Sequence, residues 1–309
     1  MSAAAEAQQP TAAAGTTVAP AQASTGSAKD PFPPVDKKYF TASSPTVATV
    51  DDFLKALWGY DPNRLWRVAA IQATQAPGIS KVTVFVTDKT PDAKVQTSSF
   101  FVTPDGQHAI AGDGIVAFGA HPFEHTREVL EQRADGPYRG SASKQLELVE
   151  FADLQCPHCK EAQGVMDQLV RDFPNARIVY QAFPLTEIHP FAFKAAAEGV
   201  CISKEKPDAF FPYTQAVFDT QAGLTAEDGE QTLKNAVTKV GLDPAKVEQC
   251  AATAAAKDAV TASVKLGTDV GVDQTPLLAV NGHLLPLMQI PYETLKQMIT
   301  FAAAQDGVK

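Results

Sequence analysis

Cysteine is scarce in this sequence, four residues in 309, and the positions of those four matter more than their number. Long apolar runs are missing: no stretch of about 18 apolar residues occurs, so there is no candidate for a membrane-spanning helix. Positive charge is in deficit, with 26 Lys and Arg against 35 Asp and Glu and a formal net charge of −9. Neither half of the chain is basic. Phosphate binding needs clustered Lys and Arg, which excludes nucleic acid as the main partner. Also missing are a GxSxG elbow, an HExxH pair and a Walker loop. What remains is ordinary for a soluble globular chain with a sizeable core: 45% hydrophobic and 8% aromatic residues. A chain of this length suits about two domains.

Met1 to Asp30 holds eleven Ala with Gln, Thr, Ser, Gly and Pro. Such a segment buries too little surface to offset its chain entropy, and residues 1–40 are expected to be a disordered tail. It lacks the charged and apolar regions of an intact signal peptide. An Ala/Thr/Pro-rich tail suits a chain whose export signal has been removed, and a cytosolic tail is the alternative.

Residues 41–121 predict a small, mostly antiparallel β domain with one helix. Val50–Trp58 is amphipathic and is broken by Gly59, Asp61 and Pro62. Strand patterns follow at Leu65–Thr74, Lys81–Thr87 and Thr97–Thr103. Pro104-Asp105-Gly106 is a turn into Gln107–Ile110, and Gly112-Asp113-Gly114 is a second turn rather than a phosphate loop. No polar cluster in this domain carries chemistry. Its unpaired edge invites pairing with a second copy, and the strand at Phe100–Val102 is the expected edge. Pro122–Arg133 reads as a linker helix, within a linker of residues 122–140.

The chemistry lies in residues 141–309. An apolar strand, Gln145–Phe151, leads through Ala152-Asp153-Leu154-Gln155 into Cys156-Pro157-His158-Cys159. A helical pattern follows, with Ala162, Val165, Met166, Leu169 and Phe173 on one face, stopped by Pro174. Strand, CxxC, helix is the context in which this motif signals redox chemistry. Cys156 stands at the helix amino-terminus, where unpaired N–H groups and the positive dipole end stabilise a thiolate. Pro157 suits the first helical turn, where a missing N–H costs nothing. Cys159, one turn later, can attack a mixed disulfide on Cys156. A zinc knuckle needs four ligands, and neither Cys201 nor Cys250 has the spacing. A bridge between Cys156 and Cys159 closes too short a loop to be structural. Haem attachment needs CxxCH, and Lys160 follows here. The other histidines (His108, His121, His125, His189 and His283) form no ligand-like cluster, so no metal and no cofactor is expected.

With these residues in place, the carboxyl-terminal part resembles the thioredoxin superfamily, in particular its DsbA and DsbC branches. The CPHC tetrapeptide is the one typical of DsbA-type oxidases. The resemblance implies that Glu150, six residues before Cys156, is a buried acid managing the proton of Cys159. It implies a cis-proline at Thr275-Pro276, ahead of a hairpin at Leu277–Val280 and Asn281-Gly282, docking substrate backbone. It assigns His158 and Pro157 a tuning role. It also implies that the helix-rich residues 187–270 are an insertion in a thioredoxin fold, with Cys201 and Cys250 as a structural disulfide. Two free buried thiols are the alternative. Phe101–Ile115 resembles the hairpin of the DsbC dimerisation domain. An oxidase-like site is thus combined with an isomerase-like architecture.

The fold class expected is α/β (α+β overall): a thioredoxin fold with a helical insertion, preceded by the small β domain and a linker helix. The expected activity is thiol:disulfide oxidoreduction in the periplasm or another exported location, on unfolded or misfolded exported proteins. A membrane partner would reoxidise or reduce Cys156. A dimeric disulfide isomerase, paired through residues 41–121, is the second enzyme reading, and a non-catalytic chaperone or binding module the third.

Overall fold

The computed structural model describes residues 30–90, 92–112 and 114–308. Residues 1–29 of the expected tail, and Asp113 of the second glycine turn, lie outside them. The chain divides into two compact units, Met1–Pro122 and Phe123–Lys309.

In the first unit, α1 (Val47–Trp58) starts where the Thr46 side chain accepts a hydrogen bond from the Thr49 N–H at 3.1 Å. The helix repeat places Val50, Phe53 and Leu54 on one buried face. They pack on Val68 and Ile71 of β1 (Arg64–Ala73), Val82 and Val84 of β2 (Ser80–Asp88) and Phe100 and Val102 of β3 (Gln96–Val102). The Pro104–Gly106 turn, with Gly106 at a φ of 66°, leads into β4 (His108–Ala111), and β5 (Gly114–Ala117) completes an antiparallel sheet in the order β1-β2-β3-β4-β5. Asp105 holds this turn by accepting from the Thr103 hydroxyl at 2.5 Å and the Gln107 N–H at 2.9 Å.

Two expectations are corrected here. The Phe100–Val102 segment is not an edge, because β3 bonds to both β2 and β4; the edge on that side is β5, all four residues of which are exposed. Residues 30–40, expected as part of a disordered tail, are instead tied to the first unit. Asp30 pairs with Arg67 at 2.7 Å, the Arg67 guanidinium lies over the Phe32 ring, and Phe40 bridges to Ile71 and packs on the core.

The second unit opens with α2 (Glu124–Arg133) and β6 (Tyr138–Gly140). These are not a free linker. Leu130 and Ala134 are buried with Val149, Phe151, Phe183 and Leu266, and Arg127 pairs with Asp306 at 2.7 Å. The central strands are β7 (Glu147–Ala152), followed by α3 (Pro157–Asp172), and β8 (Arg177–Ala182), parallel to β7. Five helices follow: α4 (Ala192–Glu205), α5 (Phe210–Asp219), α6 (Gly229–Lys239), α7 (Pro244–Ala251) and α8 (Ala254–Asp269). The chain then returns as β9 (Leu277–Val280), β10 (His283–Pro286) and α9 (Tyr292–Gln305).

The sheet order is β10-β9-β7-β8-β6, with every pair except β7 and β8 antiparallel. Every residue of β7 is buried, as a central strand covered on both faces requires. The β9–β10 turn uses Asn281 and Gly282 with positive φ; a Cβ on Gly282 would stand 2.4 Å from the Phe123 carbonyl oxygen. The helical segment packs Cys201, Ile202, Tyr213, Phe218, Leu233 and Val260 into one core with Ala152, Leu154, Cys156, Cys159 and Tyr180.

Cys201 of α4 and Cys250 of α7 are joined in a disulfide closing a separation of 49 residues. On the chain-entropy account such a loop is worth up to about 4 kcal/mol. Replacing both cysteines by serine should therefore lower the urea-unfolding free energy by up to that amount while leaving the thiol titration of Cys156 in place.

Candidate active site

Strand β7 ends at Ala152, and a three-residue turn carries the chain into α3. Cys156 occupies the cap position with extended backbone (φ −76°, ψ 123°), and Pro157 takes the first helical position. The turn is closed by the Cys156 N–H donating to the Asp153 carbonyl at 3.1 Å. One turn into α3, Cys159 is completely buried, and Cys156 is 5% exposed. Both are free thiols.

Their chemistry is opposite. A hydrogen bond from the Cys159 thiol holds the Cys156 sulfur well below the ordinary thiol range, to about 5, against the opposing effect of burial. The backbone N–H groups of Cys159 and His158, at the helix start, add to this. Burial pushes the Cys159 thiol far up, and its neighbour Cys156 pushes the same way. The Asp153 N–H points at the Cys159 sulfur, 3.4 Å away.

Glu150 lies on β7 opposite Tyr180 of β8, and its carboxyl is buried. Desolvation raises it to about 7, against Arg139 and a hydrogen bond from Gln163. The Gln163 side-chain amide donates both to Glu150 at 3.0 Å and to the Cys159 carbonyl at 3.1 Å, so the acid and the second cysteine share one partner. The Thr275–Pro276 peptide is cis. It immediately precedes β9, whose Leu277 pairs with Phe151 of β7. The Thr275 carbonyl stands 3.7 Å from the Cys156 sulfur, and its buried hydroxyl has no hydrogen-bond partner. His158 is exposed, 3.2 Å from Glu161. Cys201 and Cys250 bond only to each other and leave the CPHC pair its own chemistry.

The residues that the sequence reading passed over are those that fix the turn. The Asp153 carboxylate accepts from the Gln155 N–H at 2.7 Å, the Leu185 N–H at 2.8 Å and His189 Nδ1 at 2.8 Å. Gln155 donates to the Leu224 carbonyl and accepts from the Phe191 N–H. Gln221 donates to the carbonyls of Leu154 and Cys156, both at 3.0 Å. Asp153 was visible as a polar residue in the run between an apolar strand and the motif. The rest gave no local signal. Among the described residues, no group of three or more His, Cys, Asp or Glu side chains is arranged to hold a metal ion.

A family model described as Thioredoxin matches residues 132–300, more than half of the chain. The chain belongs to the thioredoxin family. Among curated proteins it is 28% identical over 164 residues to a Na(+)/H(+) antiporter NhaA 1 of Mycolicibacterium vanbaalenii, a match covering 52% of this chain and 24% of that protein. It is 40% identical over 58 residues to the NhaA 1 antiporter of Salinispora arenicola, covering 19% and 9%. The chain thus spans a quarter or less of the length of these relatives. Among solved structures it is similar to a periplasmic thioredoxin-like protein from Salmonella enterica serovar Typhimurium, with 21% identity, a TM-score of 0.49 and coverage of 58% of this chain and 97% of that one. It is also similar to BdbD from Bacillus subtilis, with 18% identity, a TM-score of 0.49 and coverage of 55% and 93%.

The buried Glu150 makes a pH prediction. Its folded pKa, about 7, lies above the ordinary 4.5, so its contribution to stability is complete below pH 4.5 and is lost as the pH rises through about 7. The Glu150→Gln variant does not undergo this loss. Its unfolding free energy should match the wild type near pH 4.5 and exceed it by on the order of 3 kcal/mol at pH 8, read from denaturant midpoints at the two pH values.

Proposed function

We propose that this protein is an exported thiol:disulfide oxidoreductase acting on unfolded or misfolded protein chains. The observation that carries the reading is the split between the two sulfurs: a thiolate-prone Cys156 at the start of α3 beside a buried, proton-retaining Cys159. In this reading Cys156 accepts and delivers disulfides and Cys159 resolves the mixed disulfide. Glu150 exchanges the Cys159 proton, and Pro157 and His158 tune Cys156. The edge at Thr275 and Pro276 docks an extended substrate segment by strand pairing. Cys201–Cys250 stays out of the cycle as a structural bridge.

Disulfide donation is favoured over reduction by the Cys156 thiolate. Moving its pKa from near 7, the thioredoxin value, to about 5 stabilises the dithiol form at pH 7 by about 2 kcal/mol, or roughly 50 mV for two electrons. A membrane redox partner then reoxidises the pair. The thiolate absorbance of the reduced protein should titrate with a midpoint near 5, and Cys156→Ser should abolish both this transition and insulin reduction. A midpoint at or above 8 would sink the proposal.

A second reading is a dimeric isomerase joined through residues 41–121, and it has its own observation. In the first unit the edge strand β5 presents Ile115, 69% exposed, and Val116 to solvent, with Phe101 exposed on β3. An apolar edge of this kind is a template for a second copy. Light scattering at micromolar concentration should give a dimer for the full chain and a monomer for Ile115→Glu. A monomeric wild-type chain refutes the pairing and leaves the oxidase.

A further inference from the structure

Asp153 uses every polar atom it has, and uses them all around the two cysteines. Its N–H meets the Cys159 sulfur at 3.4 Å, and its carbonyl accepts from the Cys156 N–H at 3.1 Å. Its carboxylate, with no solvent exposure, accepts from Gln155, Leu185 and His189. His189 Nδ1 stands 2.8 Å from the carboxylate, and in the tautomer with its proton on Nδ1 the ring donates to it. The His189 backbone N–H in turn donates to the Leu185 carbonyl at 2.9 Å, so the two residues that grip the carboxylate are tied to each other. Both carboxylate oxygens are thus fixed from two directions, by the turn itself and by the segment after β8. Held in this way, the residue aims its N–H at one sulfur.

That sulfur is the one that must carry charge at a defined moment. Resting on the function proposed above, disulfide donation begins when a substrate thiolate attacks the Cys156 sulfur. A bond forms between the substrate sulfur and Cys156, the Cys156–Cys159 bond breaks, and its electron pair leaves on Cys159. The Cys159 thiolate then takes the proton of the Glu150 carboxyl, which solvent restores. A second substrate thiolate attacks the substrate sulfur of the mixed disulfide, and Cys156 leaves as a thiolate. Two electrons have passed from the substrate dithiol to the cysteine pair. In the first step negative charge develops on a sulfur that is wholly buried, and Asp153 places a backbone donor there.

We propose that Asp153 and His189 form a positioning pair that makes Cys159 a competent leaving group, by locking the Asp153 N–H onto its sulfur. His189 acts as the donor that holds the carboxylate, and neither side chain exchanges electrons or protons with substrate. A hydrogen bond to a charged group contributes enough that its loss slows the step about tenfold. Reactions of Cys156 that do not expel Cys159 are untouched.

The test is a pair of rates on the full-length protein. The first is single-turnover oxidation of a two-cysteine peptide by the oxidised protein, followed by acid quench and mass analysis. The second is alkylation of Cys156 by iodoacetamide in the reduced protein. Asp153→Asn puts an amide donor against donors and should slow peptide oxidation about tenfold with alkylation unchanged. His189→Leu should do the same. His189→Asn, whose side-chain amide nitrogen can stand where Nδ1 stands, should recover most of the rate. If Asp153→Asn does not fold, the two His189 variants decide. Wild-type rates in Asp153→Asn and His189→Leu overturn the inference. So does a parallel fall in both rates, which marks a general disturbance, or a His189→Asn no faster than His189→Leu. A wild-type protein that fails to oxidise the peptide overturns the proposed function itself, a separate result.

Discussion

Only one of two touching thiols can be charged, and the second unit is built around deciding which. Cys156 and Cys159 are both nearly inaccessible, but burial prevails only at Cys159, driving it upward. At Cys156 hydrogen bonding outweighs it. Cys156 stands at the cap, where the first N–H groups of α3 have no carbonyl partner within the helix and turn toward its sulfur. Cys159 lies one turn further in, and its thiol donates a hydrogen bond to Cys156. The pair therefore ionises as a unit, and charge on the first sulfur keeps the proton on the second.

Two carboxylates three residues apart show how a strand end can be divided between tasks. Glu150 still points from the sheet, has one amide donor in Gln163 and is desolvated enough to hold a proton near neutrality. Asp153 is past the strand end and is met by two backbone N–H groups and an imidazole. A carboxyl short of donors is suited to exchanging a proton, whereas one fully supplied with them is suited to holding geometry. The same chemical group is thus suited to reactivity at one position and to rigidity at the other.

Much of the site was legible because it is local. A buried strand, a CxxC at a helix start and a proline at the first helical position are contiguous, and each leaves a periodic or capping signal. Strand order is not local. The Pro104–Gly106 turn signals a hairpin from Phe100–Val102 into Gln107–Ile110. The exposed strand β5 beyond it carries little pattern, however, and the two added strands move the edge outward. Helix α2 read as a linker because it is rich in charge, while a few residues, Leu130 foremost, tie it to the core. Gln221 meets Cys156 across 65 residues and His189 meets Asp153 across 36, separations at which a single sequence has no signal.

Those distant contacts give the helical segment its place in the site. Gln221 and Gln155 bind only backbone groups of the turn and of the insertion, and both side chains are neutral. A cation in their place would fix the same carbonyls but would add its own field beside Cys156, deepening a thiolate that is already strongly stabilised. A thiolate that is too stable becomes a weaker nucleophile and leaves a mixed disulfide more readily. Neutral amides hold the turn without shifting that balance, so the helix start and the two cysteines set the chemistry. The disulfide between α4 and α7 limits the conformations of the framework from which those amides reach.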